Sequence, residues 1–163
     1  MGKIVKTGFQ FLEYANSRLI RNVDDVLDLK TELITLSETK THRELSDYAL
    51  KLATHIIEIS GLERTEDVKA VFSVIPQWQA KQVRFQAALE VAGRLNDLAR
   101  EEKDPIKVKG YRALGQIAAT PHVRWHPLVA SEYTVVIINL KYPKDLNKVK
   151  EERLFQIDLM KQG

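Results

Sequence analysis

The residue types that could do chemistry here are few. The chain has four histidines, His42, His55, His122 and His126. His122 and His126 lie four positions apart, a spacing that on one helix would aim both imidazoles the same way and could hold zinc. Pro121 and Pro127 flank them, however, and Pro127 argues against a continuous helix through both. No Asp or Glu lies in that window as a third ligand, so the pair reads as loop or cap histidines. His55 sits in a strongly helical stretch and reads as half-buried and hydrogen-bonded. Glu101-Glu102 and Glu151-Glu152 are adjacent carboxylates, which point in different directions on a helix and read as solvated. The chain has no cysteine, which excludes disulfides, thiolate metal sites and cysteine nucleophiles. It has no Gly-rich phosphate loop, Gly-x-Ser-x-Gly or His-Glu-x-x-His motif, and no pair of Glu-x-x-His motifs for a di-iron bundle. Catalysis therefore has no positive support, and the sequence asks for no metal and no cofactor.

Binding is better supplied. Trp78, Tyr111 and Trp125 stand in the same part of the chain as Arg84, Lys107, Lys109, Arg112 and Arg124. Aromatic rings interleaved with cations can anchor a peptide or stack on bases. The structural alternative places the rings between helices and the cations on ordinary solvated faces. Net charge is +3, but residues 81–125 carry nine basic against five acidic groups, whereas residues 41–80 carry four against six. That excess hints at an anionic partner without forming the dense basic stripe of a dedicated nucleic-acid binder.

These residues need a scaffold, and 163 residues with 44% apolar and 29% charged side chains suit one globular domain spanning 1–163. There is no 18-residue apolar run, and Met1 to Lys6 lacks a secretory core, so neither membrane span nor secretion is expected; a reducing cytoplasm fits. Helical spacing predicts a first helix over about 3–21 (Val5, Phe9, Leu12, Ala15, Leu19) and a second capped by Asn22, with Asp24 and Asp25 in its first turn. Thr41-His42-Arg43-Glu44 is a capping box opening a third helix that Gly61-Leu62 stops. Thr65-Glu66-Asp67 opens a fourth, bounded by Pro76, and a fifth runs from about Gln77 to Glu102. Asp104-Pro105 starts a sixth. Residues 128–140 are ambiguous, because Thr134 to Ile138 would suit a strand; a lone strand lacks a partner, so a buried helix is preferred. Tyr142-Pro143 ends it and Asp145 caps a last amphipathic helix.

The helices repeat. Phe11-Leu12-Glu13-Tyr14-Ala15, Ala49-Leu50-Lys51-Leu52-Ala53 and Ala88-Leu89-Glu90-Val91-Ala92 share one pattern at a period of roughly 40 residues. Leu50 and Leu89 are thus expected to be buried between repeats. Ala87 through Ala119, with the turn Glu102-Lys103-Asp104-Pro105 and the helix Val108 to Ile117, resembles a HEAT repeat. That resemblance implies Asp104 in the inter-helix turn and Lys109 early in the second helix as ties between repeats. It also implies second helices lining a concave surface. HEAT-like DNA glycosylases use aromatic and basic residues on such a surface, but they are longer and no catalytic acid is assigned here. Small helical RNases of the HEPN type require an Arg four to six residues before a His, which this chain lacks. The expectation is an all-α fold of about eight helices as stacked αα-hairpins (a short α-solenoid), with a compact helical bundle as the alternative. The expected function is a non-catalytic adaptor docking a protein partner, through Arg84, Lys107, Lys109, Tyr111, Arg112, Arg124, Trp78 and Trp125. The alternative is a nucleic-acid-binding helical subunit.

Overall fold

The structure is a computed structural model that describes residues 23–162. The first expected helix and the Asn22 cap lie outside the described residues, and with them Leu12 and the first copy of the repeat. Seven helices follow: α1 (Leu27–Glu38), α2 (His42–Ser60), α3 (Glu66–Gln79), α4 (Phe85–Glu101), α5 (Pro105–Ala118), α6 (His126–Lys141) and α7 (Leu146–Gln162). The all-α expectation holds, with seven helices among the described residues where about eight were expected over the whole chain.

Local sequence sets most of the boundaries. The Thr41 hydroxyl accepts from Glu44 N–H at 3.1 Å and the Glu44 carboxylate accepts from Thr41 N–H at 2.9 Å, so the capping box forms. Gly61 ends α2 at φ 69°, a left-handed conformation that costs glycine nothing. Asp104 caps α5 by accepting from Ile106 N–H at 2.9 Å, with Pro105 as the first helical residue. The ambiguous stretch is helix: α6 starts at His126 with Pro127 in its first turn, and Leu128 to Ile138 are buried except for half-buried Tyr133. A helix satisfies every backbone group of that apolar run without a sheet partner.

Two boundaries differ from expectation. Pro76 does not bound its helix, since α3 runs on to Gln79 and α4 begins only at Phe85. The stop is a backbone motif: Gln82 N–H donates to Gln77 O at 2.8 Å and Lys81 N–H to Trp78 O at 2.9 Å, with Lys81 left-handed at φ 60°. This is the Schellman pattern, which usually places glycine where Lys81 stands, so no residue type announced it. The second difference is at α1, which begins at Leu27 because Asp24 and Asp25 are engaged elsewhere.

Neighbouring helices α4, α5 and α6 pack side by side as hairpins. Helix α2 is central and touches α3, α5, α6 and α7, while α1 lies along α7. Ala49, Leu52, Ala53 and Ile56 on α2 are fully buried, as are Val68, Val71 and Ile75 on α3, Ala88 and Leu95 on α4, and Ala113, Leu114 and Ile117 on α5. Leu50 and Leu89, expected to be buried, are instead half-buried at the core's edge. Within the two described copies the buried positions are Ala49, Leu52 and Ala53 on α2 and Ala88, Val91 and Ala92 on α4, which the alignment pairs with one another.

Candidate interaction site

A cluster of charge runs through the interior where α1, α6 and α7 meet. Arg153 of α7 has no exposure, and its guanidinium donates to Asp25 through Nε (3.0 Å) and Nη2 (2.6 Å), to Glu132 Oε2 (2.9 Å) and to Gln156 Oε1 (3.0 Å). Lys30 of α1 stands 3.5 Å from the other oxygen of Glu132. Two cations thus face two carboxylates in a low-dielectric setting, the arrangement a buried charge requires. Burial alone would raise the Asp25 pKa, but the bonds and charge of Arg153 outweigh it and hold the carboxyl below its ordinary value. Burial lowers the Lys30 pKa against the opposing pull of Glu132.

The network continues into α2. Gln156 donates to Glu152 Oε2 (2.8 Å) and to Ser131 O (3.2 Å), and it also bonds the Thr134 hydroxyl. His55 Nε2 donates to Glu152 Oε1 at 2.7 Å, and the Tyr48 hydroxyl shares a 2.7 Å bond with Ser131. Glu152, expected to be solvated, is buried, whereas Glu151 is exposed. His55 is half-buried and hydrogen-bonded, as expected. These groups are saturated with one another, so the cluster clamps α7 to the bundle rather than presenting a reactive group.

The surface offers two places for a partner. On α7, Leu154 and Phe155 are exposed between two shallow grooves, one lined by His55, Tyr142 and Glu152, the other by Glu32, Asp158 and Lys161. At the α3–α4 corner lies a pocket of about 470 Å³ lined by Trp78, Lys81, Gln82, Val83, Arg84, Phe85 and Gln86. Trp78 packs on His42 with ring centroids 4.7 Å apart, and His42 Nε2 in turn donates to Thr120 O at 2.7 Å. Phe85 packs on His122 at 5.2 Å.

The sequence-derived binding residues divide among several surroundings. Trp78 and Arg84 come together in the corner pocket. Arg124 caps the end of α1, its guanidinium donating to Lys40 O and, at 3.5 Å, to Ser37 O. Trp125 lies against His126 at 5.3 Å, joined to the corner through the His122–His126 ring contact at 6.0 Å. Those two histidines share no helix: His122 precedes α6 and His126 opens it, donating through Nδ1 to Gln116 Oε1 at 2.7 Å. On α5, Arg112 donates to Asn96 at 3.0 Å, Lys109 lies over the Tyr133 ring at 5.9 Å, Lys107 is half-buried, and Tyr111 edges a groove with Leu98 and Lys103. Among the described residues no three His, Asp or Glu side chains converge as a metal site would need. No described helix is long and apolar enough to cross a membrane.

Residues 35–163 match the family model described as "Imm-5 like putative immunity protein". The chain belongs to that family. No curated protein and no solved structure shows significant similarity to it. Membership in an immunity family overturns both functional expectations, the general adaptor and the nucleic-acid-binding subunit, and points to antagonism of a toxin instead. A protein partner, as expected from the sequence, fits an immunity family, whereas a nucleic-acid partner finds no support in it.

Proposed function

We propose that this Imm-5 like chain neutralises a protein toxin by forming a stoichiometric complex with it. The observation that carries the reading is the family match over residues 35–163. The interior supports it physically. A recognition surface works best when its ordering cost is met before binding, and the Arg153–Asp25–Glu132–Lys30 cluster ties α1, α6 and α7 into a stiff frame. The HEAT-like reading of Ala87 to Ala119 enters as geometry only: α4 and α5 pack side by side, and Phe85 and Gln86 at the start of α4 line the corner pocket.

A toxin and the protein that neutralises it must be inherited together, so the test begins with open reading frames adjacent to this chain's gene. Each is expressed from an inducible promoter with and without this chain. Growth arrest by one of them, relieved by this chain and not by a destabilised Leu52→Asp variant, is the expected result. If every growth-arresting neighbour is equally toxic with this chain present, the reading is wrong.

A further inference from the structure

The corner pocket has a charge pattern that specifies what fits it. Lys81 and Arg84 line it and, among the described residues, neither side chain has an ion-pair or hydrogen-bond partner. Arg43 adds a third cation nearby, donating to Gln79 O at the end of α3 at 3.3 Å. No carboxylate lines the pocket. Two acids of α2 are already committed: Asp47 accepts from Gln79 Nε2 at 2.8 Å and Glu44 closes the capping box. The apolar walls are Val83, the Trp78 indole, which packs on His42, and the Phe85 ring, which packs on His122.

Lys81 adds an independent observation. It holds a left-handed backbone at φ 60° in the Schellman position, where glycine would be unstrained. A non-glycine residue there is strained, as Lys144 also is at φ 60° in the turn before α7, and such strain is found at ligand clamps and switch regions. In this pocket the side chain so placed is a cation.

We propose, resting on the immunity reading, that the α3–α4 corner is the docking site for an acidic segment of the toxin that carries an apolar side chain between its carboxylates. The apolar group enters between Trp78 and Phe85. The carboxylates meet Lys81 and Arg84, with the Gln82 and Gln86 amides at the rim. Charge complementarity selects this occupant: the uncompensated cations disfavour a basic partner, and an apolar one would strip them of water without replacement. The α7 face, with Leu154 and Phe155 among the acids Glu151 and Asp158 of α7 and Glu32 of α1, is the competing surface.

The test has two arms. In the first, isotopically labelled wild type is titrated with the peptide acetyl-Asp-Glu-Phe-Asp-Leu-amide and with its counterpart bearing Lys at each acidic position. The expected result is saturable shifts at the Trp78 indole N–H and the Gln82 and Gln86 amides with the acidic peptide only, reversed by added salt. Equal response to the basic peptide, no response, or shifts confined to Leu154 and Phe155, overturns the proposal. In the second arm, affinity for the toxin that this chain neutralises is compared between wild type, Lys81→Gln/Arg84→Gln and Leu154→Ala/Phe155→Ala, each checked by circular dichroism. A loss of tenfold or more in the first variant and under threefold in the second is expected. The opposite order overturns the corner while leaving the immunity reading intact. If wild type binds no toxin, that reading fails, and the peptide arm still decides the pocket. Lys81→Gly guards against a purely structural effect: it should raise the denaturation midpoint while weakening peptide binding, and unchanged binding counts against Lys81.

Discussion

Replacing Arg153 with methionine should be among the most damaging single changes available. The guanidinium makes four hydrogen bonds, two to Asp25, one to Glu132 and one to Gln156, and its side chain is fully buried. Methionine fills much of the aliphatic volume but leaves Asp25 and Glu132 facing Lys30 alone, one negative charge in excess inside the protein. Breaking a buried pair by removing one partner costs about 3–5 kcal/mol, because the remaining charge has lost its compensation. That is a large share of the roughly 5–15 kcal/mol by which domains of this size are stable. Urea denaturation followed by far-ultraviolet circular dichroism measures it directly. Glu132→Gln alone should also destabilise, leaving two cations against Asp25. The double variant Arg153→Met/Glu132→Gln should lose at least about 1 kcal/mol less than the sum of the singles, since the two groups touch at 2.9 Å. A loss under about 1 kcal/mol for Arg153→Met, or strict additivity of the pair, would refute the reasoning that this cluster fixes α7 in place.

Three further outcomes are expected. Thr120 is buried and its hydroxyl has no hydrogen-bond partner, so Thr120→Val should be neutral or raise stability by up to about 1 kcal/mol in urea denaturation, by removing an unsatisfied polar group. Gly110 lets α5 approach the end of α2, and a Cβ there would meet Ser60 Oγ at 2.5 Å and Ser60 Cβ at 2.7 Å; Gly110→Ala should therefore cost about 1–3 kcal/mol by overpacking, read from the same assay. The His126 pKa is lowered to about 4 by burial and then by the nearby His122 charge. Between its ordinary 6.5 and about 4 the unfolded chain takes up a proton that the folded chain refuses, so stability should drop as pH is lowered across that window, by on the order of 3 kcal/mol at most. Asp25 adds a second loss at lower pH, since its carboxyl is held below its ordinary value of 3.8 and its contribution disappears as pH falls through the folded value. Denaturation midpoints from pH 7 to pH 3 check this, and His126→Gln should flatten the upper part of the curve.

The fold was legible wherever a boundary has a residue-level cause. Thr41 with Glu44, Gly61, and Asp104 with Pro105 each carry their function in the side chain or its absence, and each stands where expected. The α3 stop carries no such mark: a proline inside the helix drew the boundary forward, and the real stop is a backbone hydrogen-bond pattern closed on a lysine. The buried cluster left a signal that periodicity alone overlooks. Arg153 and Gln156 lie on the same stripe of α7 as Val149 and Met160, and Glu132 is the one charge within an otherwise apolar run of α6. A charge on the buried stripe needs a partner on another, and Lys30 on α1, Glu132 on α6 and Arg153 on α7 together imply a network. The corner pocket was half legible. Trp78 and Arg84 were found as an aromatic beside a cation, whereas Lys81 and Phe85 become part of it only through the turn that folds α4 back on α3. Function was not legible, because an immunity protein is defined by its partner, and no local motif encodes that.

The most direct test of the central claim is a titration of the purified growth-arresting toxin with this chain, following the toxin's own activity alongside complex mass by light scattering. The expected result is a linear fall of activity to zero at one equivalent, with a single species at the summed mass of the two proteins. Undiminished toxin activity at excess chain, with both proteins eluting at their separate masses, would contradict the immunity reading.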